Sequence, residues 1–243
     1  MIKDILTDIV AHTHALGFLT IIKITSDDKE TVIDSISEDK GVIFNAKMKN
    51  PVAEFEGTFG MTNLDKLNLH LKSPEYKENA TIEVVKNSKA KGSAPSNLYF
   101  ENETGDFTNE FRFMSTQTIN SVIKPLSFKG AKWDISFTPS VIAIQRLKLQ
   151  AQVHSSETKF TTTVDNKNLV CSFGDASTHA GNFIFQTNVT KLKNELKWPI
   201  QQVISILSLS GDCTMHISDE GLMMITIDSG IGEYNYILPA QTK

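Results

Sequence analysis

One order of elements runs twice along the chain: a helical stretch, several short strands, a second short helix and further strands. Strands and helices come in separate runs, so a parallel sheet built by strand–helix alternation is excluded. The order instead specifies a duplicated α+β unit with antiparallel sheets and two short helices per unit. The repeat lies in the order of elements, not in residue identity. At 243 residues the chain is long enough for two domains of ordinary size. The natural division is residues 1–114, a connector at 115–132, and residues 133–243.

The first half opens on the clearest helix, Ile2–Leu16. Ile2, Ile5, Leu6, Ile9, Val10, Thr13 and Leu16 repeat at helical spacing, and Gly17 is placed to stop it. Strands are predicted at Phe18–Thr25, Thr31–Ser37, Gly41–Asn50 and Glu54–Phe59, separated by polar turns. A short helix at Thr62–Leu71 turns Leu64, Leu67 and Leu71 inward and Asn63, Lys66 and His70 outward. Strands return at Thr81–Val85, Asn97–Phe100 and Phe107–Met114. The segment from Ser115 to Lys132 shows no clean period, contains Pro125 and Gly130, and reads as a connector. Beyond it, Trp133–Phe137 alternates as a strand. Thr138 and Pro139 read as the cap and first turn of a helix at Ser140–Gln152, although Leu147, Leu149, Ala151 and Val153 alternate and compete for a strand. Strands follow at Lys159–Val164, Asn168–Phe173 and Gly181–Val189. Pro199 opens a short helix with Ile200, Val203, Ile204 and Leu207 on one face, and three strands close the chain.

Composition excludes several classes of function. No apolar run is long enough to span a bilayer, and Asp4 and Asp8 interrupt what would be the core of a signal peptide. The expected location is therefore cytoplasmic (the host cell's, if the source is viral), and the sequons at Asn79, Asn102 and Asn188 are expected to stay unmodified. Cys171 and Cys213 lack metal or redox spacing and read as free thiols. His12 and His14, two apart on a helix, point to different faces and cannot share a metal. Asp27, Asp28, Glu38 and Asp39 sit in turns, where solvated carboxylates are the default. No phosphate loop, zinc pattern or nucleophile elbow occurs, so neither an enzyme, a cofactor nor a metal is indicated. A net charge of −4 argues against indiscriminate wrapping of nucleic acid, though it allows one basic or polar DNA-facing surface on an acidic body.

Three stretches carry a family resemblance. Phe55–Leu67 (FEGTFGMTNLDKL) resembles a strand-to-helix entry in the first domain of the sliding clamps of T4-type bacteriophages. Trp198–Leu207 (WPIQQVISIL) with Gly211–Ile217 (GDCTMHI) is similar to the matching entry in the last domain. The ending, Ser218–Ile227 (SDEGLMMITI) and Glu233–Ala240 (EYNYILPA), is the most clamp-like part. By element order the resemblance covers nearly the whole chain and extends to clamps of the proliferating-cell-nuclear-antigen type. It implies a ring-forming, non-enzymatic processivity factor that encircles double-stranded DNA without sequence preference. Partners would be a DNA polymerase and a clamp loader. Two domains per chain imply a homotrimer, because such rings contain six. A structural protein such as a virion component, built from the same duplicated unit, is the alternative.

A ring that slides must meet phosphates rather than bases. The candidate DNA-facing residues are Lys66, His70 and Lys72 on the second helix of the first half, with Arg146 and Lys148 on the first helix of the second half. The sequence departs from the clamp pattern on its first helix, where Asp4 and Asp8 face one lysine, and on its last, whose polar face is amide- and serine-rich. Phe107–Met114 and Gly181–Val189 are candidate edge strands for head-to-tail pairing. The resemblance also implies a peptide groove, formed by connector residues Ile119, Val122, Ile123 and Leu126 with tail residues Ile237, Leu238 and Pro239.

Overall fold

The computed structural model describes residues 2–77, 79–86, 94–124, 130–175, 177, 179–189 and 192–241. It divides into two units, Met1–Ser127 with Ser229–Tyr234, and Phe128–Asp228 with Asn235–Lys243. Both combine antiparallel sheets with short helices.

Unit 1 begins with α1 (Ile2–Ala11), which buries Leu6, Ile9 and Val10. The helix ends earlier than its apolar spacing predicts. Residues His14–Leu16 tighten into a 3₁₀ turn, closed by Gly17 at φ 79°. Strands β1 (Ile22–Ser26), β2 (Thr31–Ile36), β3 (Ile43–Met48) and β4 (Gly57–Met61) form an antiparallel sheet in the order β4-β1-β2-β3. Helix α2 (Leu64–Lys72) buries Leu64, Leu67 and Leu71 as their spacing requires, and it packs on α1. A second sheet has the order β5 (Thr81–Lys86), β6 (Pro95–Glu101), β7 (Thr108–Arg112).

Within the stretch read as an irregular connector, residues Thr116–Val122 form helix α3. Ser115 caps it, accepting the Thr118 amide at 3.2 Å. Its sequence, TQTINSV, is mostly polar and holds no apolar stripe, which is why periodicity does not reveal it. One isoleucine anchors it. Ile119 lies over Gly60 of β4, where an added Cβ would come within 2.6 Å of the Ile119 Cδ1.

Unit 1 also takes in Ser229–Tyr234 from late in the chain, held by α1. Asp8 accepts hydrogen bonds from the Tyr234 hydroxyl at 2.6 Å and the Ser229 hydroxyl at 2.8 Å. The His12 ring stacks on Tyr234 with centroids 4.2 Å apart, and its Nδ1 lies 3.3 Å from an Asp8 oxygen. Asp8 is thus no part of a solvated polar face. Burial alone would raise its pKa, but hydrogen bonds from His12, Tyr234 and Ser229, aided by the charge of His12, bring it below the ordinary value.

Unit 2 opens with β8 (Ile135–Phe137) and α4 (Val141–Val153). The α4 cap is Ser140, which accepts the Ala143 amide at 3.1 Å, rather than Thr138. Strands β9 (Lys159–Asp165), β10 (Asn168–Gly174), β11 (Ala180–Gln186) and β12 (Leu196–Pro199) form a sheet in the order β11-β10-β9-β12. Pro199 closes β12 and sits at the cap of α5 (Ile200–Ile206). The closing strands are β13 (Asp212–Ser218), β14 (Leu222–Asp228) and β15 (Gly232–Pro239), with β13 between β8 and β14. Leu147 of α4 and Val203 of α5 join Phe160, Leu169, Phe185 and Met215 around an interior cavity of about 10 Å³. Trp198 is fully buried, and its indole N–H is satisfied by Thr162 Oγ1 at 2.8 Å.

Candidate nucleic-acid interface

Helical geometry decides which candidate cations can act together. Successive residues turn by about 100°, so residues two apart point to nearly opposite sides. Arg146 and Lys148 therefore cannot share one face of α4. Arg146 is exposed on one flank of the solvent-facing arc, and Lys148 is half-buried on the other. The centre of that arc is apolar: Val141, Ile142, Leu149 and Val153 are 58–70% exposed, interspersed with Gln145 and Gln152. Neither α4 nor α5 contains an acidic residue.

On α2 the exposed face centres on Leu69, which is 69% exposed. Lys66 and Lys72 flank it, with Asp65 on the same face. His70 departs from the expectation that it faces outward as a cation. It is half-buried, stacked on Phe100 at 5.1 Å, and burial holds its imidazole below the ordinary range, so it is neutral at pH 7. On α1, Lys3 donates to the backbone carbonyl of Tyr76, while Asp4 is exposed.

Both candidate edge strands lie at sheet edges. β7 ends the order β5-β6-β7, and β11 ends the order β11-β10-β9-β12. Each has exposed apolar side chains nearby: Phe107 precedes β7, Ile184 lies on β11, and Val153 ends α4, which packs on β11. These apolar residues, with Leu69, are the surface features that sequence reasoning missed. Leu69 lies off the stripe of Leu64, Leu67 and Leu71, so helical spacing was the signal that could have found it.

Two comparisons with known proteins give nothing: no family model and no curated protein matches the chain. Solved structures do match. The chain aligns with the PCNA of A. fulgidus, solved bound to the C-terminal region of FEN-1, at a TM-score of 0.68 and 11% identity, covering 99% of this chain and 96% of that one. Against the PCNA of Thermococcus kodakaraensis the TM-score is 0.68 at 10% identity, covering 98% of this chain and 97% of that one.

The fold is that of the PCNA-type clamps. At this level of identity the likeness concerns backbone architecture. Within the clamp fold, most of the residues expected to line a peptide groove are interior. Ile119 and Ile123 are buried in unit 1, and Ile237 and Leu238 are buried in unit 2, so these four pack the core. Alternation along β15 accounts for Leu238, while Ile119 anchors α3 and Ile123 is the capping residue just past its end. Val122 and Pro239 are exposed, and Leu126 lies outside the described residues. In unit 2 the sheet face opposite α4 and α5 carries half-exposed Trp133, His216, Leu222 and Met224. His216 lies 2.8 Å from the Ser136 hydroxyl and beside Trp133, with ring centroids 5.6 Å apart. Burial lowers the His216 pKa, so the ring is neutral at pH 7. Among the described residues no three potential ligands converge on a metal site, and no helix is long and apolar enough to cross a membrane. Burial pushes the Cys213 thiol up to about 11 and raises that of Cys171 further.

Proposed function

We propose that this chain is the subunit of a DNA sliding clamp: three copies close head to tail into a ring around duplex DNA and tether a replicative polymerase, with a clamp loader to open them. The observation that carries the reading is a pair of sheet-end strands, β7 and β11, within a clamp fold. A strand edge left open invites pairing, and β7 and β11 are different strands, so contact between them is heterologous and closes a ring when the rotation permits. Three copies of a two-unit chain give the six units that the resemblance to clamps implies. The T4-type bacteriophage origin belongs to the same proposal and rests on the sequence stretches quoted above.

Partner peptides are assigned to the sheet face of unit 2 opposite α4 and α5, where Trp133, His216, Leu222 and Met224 offer half-exposed apolar surface. Pro239 and Ala240 lie next to it, since the Ala240 amide donates to Gly221 at 2.8 Å. Among the described residues, exposed Val122 is the remaining connector candidate in unit 1. Light scattering over a concentration series tests the assembly. The expected mass is three times that of the chain at high concentration, falling on dilution if the ring is weak. A monomer or dimer that persists throughout the series would overturn the reading.

A further inference from the structure

We infer that the two units do not share the duplex equally: the α4–α5 pair of unit 2 is the surface that touches DNA phosphates, and the α1–α2 pair of unit 1 contributes little. The inference rests on the clamp reading above and adds to it which half of the subunit holds the DNA.

Charge and its disposition carry the argument. The chain has 28 acidic residues, yet α4 and α5 have none over their 13 and 7 residues. The two helices pack together, and their polar residues include Gln145, Gln152, Gln201 and Gln202 with Arg146 and Lys148. Neutral amides donate to phosphate oxygens without displacing counterions, so such contacts form and break cheaply as the duplex moves. Arg146 and Lys148 leave α4 on opposite flanks, roughly 10 Å apart across a helix with its side chains, and so address separate phosphates. Ile142 and Leu149 between them bring no negative charge.

The α1–α2 pair is different. Asp4 and Asp65 offset Lys66 and Lys72 one for one. Lys3 is engaged with the Tyr76 carbonyl, and His70 is uncharged against Phe100. A polyanion meets no net attraction on these two helices, whereas on the other two it meets two cations and no acid.

Two double variants of the full chain separate the halves: R146E/K148E and K66E/K72E. With wild type, each is measured for binding to a short duplex across a salt series, for retention on nicked circular duplex, and for assembly mass. R146E/K148E should flatten the slope of log affinity against log salt by about 0.9 for each phosphate no longer neutralised, roughly 1.8 per chain. K66E/K72E should leave the slope as in wild type. Equal or greater flattening by K66E/K72E overturns the inference. So does loss of the assembly in R146E/K148E, which would put the exposed face of α4 between copies of the chain. Wild-type protein that never reaches trimer mass would instead sink the clamp reading itself and take this inference with it.

Discussion

Asp8 shows how far a single side chain can depart from its pattern. By spacing it belongs to the polar face of α1, but it accepts two hydroxyl hydrogen bonds and lies beside the His12 ring. Its pKa in the folded chain is below the ordinary carboxylate value of 3.8. A depressed pKa means that the ionised form is favoured by folding. The stability it supplies is therefore present above the unfolded value and is lost progressively as pH falls through the folded value. Asp8→Asn should cost about 1–3 kcal/mol at pH 7, because it removes charge-assisted bonds at a poorly exposed site. Thermal melts from pH 7 to pH 3 should show the wild-type advantage shrinking below pH 4. A constant gap across that range would assign the loss to packing alone. Leu238 makes the opposite point. It is fully buried, so Leu238→Ala should cost roughly 2–5 kcal/mol in denaturant unfolding. A variant that keeps wild-type stability while losing polymerase stimulation would return Leu238 to a binding surface.

Among the elements, α3 and the edge strands differ most from what periodicity predicts. The α3 helix is held by Ile119 over Gly60, an approach that only a residue without Cβ allows. β7 and β11 were legible as alternating strands, and their exposed apolar neighbours make them candidates for pairing between copies. Ile184→Lys on β11 is a surface change in the single chain, so its effect on unfolding should stay within about 0.5 kcal/mol. Under the clamp proposal the same variant should break the assembly, read as a fall from trimer to monomer mass. If the mass is unchanged while the melting temperature falls, Ile184 packs within its own unit and β11 is not the edge that pairs.

For the whole molecule, enclosure and affinity make different demands. A ring holds DNA by topology and needs only weak, exchangeable contacts, which suits a chain of net charge −4. Protein loaded on nicked circular duplex should therefore remain bound for minutes at salt concentrations that release it from a short linear duplex at once. Cutting the circle should free it within seconds. Retention that survives linearisation would point to ordinary binding, and with it to the structural-protein alternative.

The sequence by itself determined the elements whose burial is one-sided. α2, α5 and the closing strands fall within a few residues of their predicted bounds, since apolar spacing follows the face that must leave water, while α4 was marked by the Thr138-Pro139 start signal before it. It also carried the α+β class and the duplicated order, and the clamp-like stretches pointed to the fold. It did not determine which polar or apolar side chains reach the surface. Arg146 and Lys148 are close in sequence but separated by the turn of their helix; His70 and Asp8 carry polar groups drawn inward by Phe100 and Tyr234. Ile237 is interior, whereas Leu69 and Leu149 are exposed. Such differences depend on what other segments, distant in the chain, bring against each side chain, and only the tertiary structure holds that information.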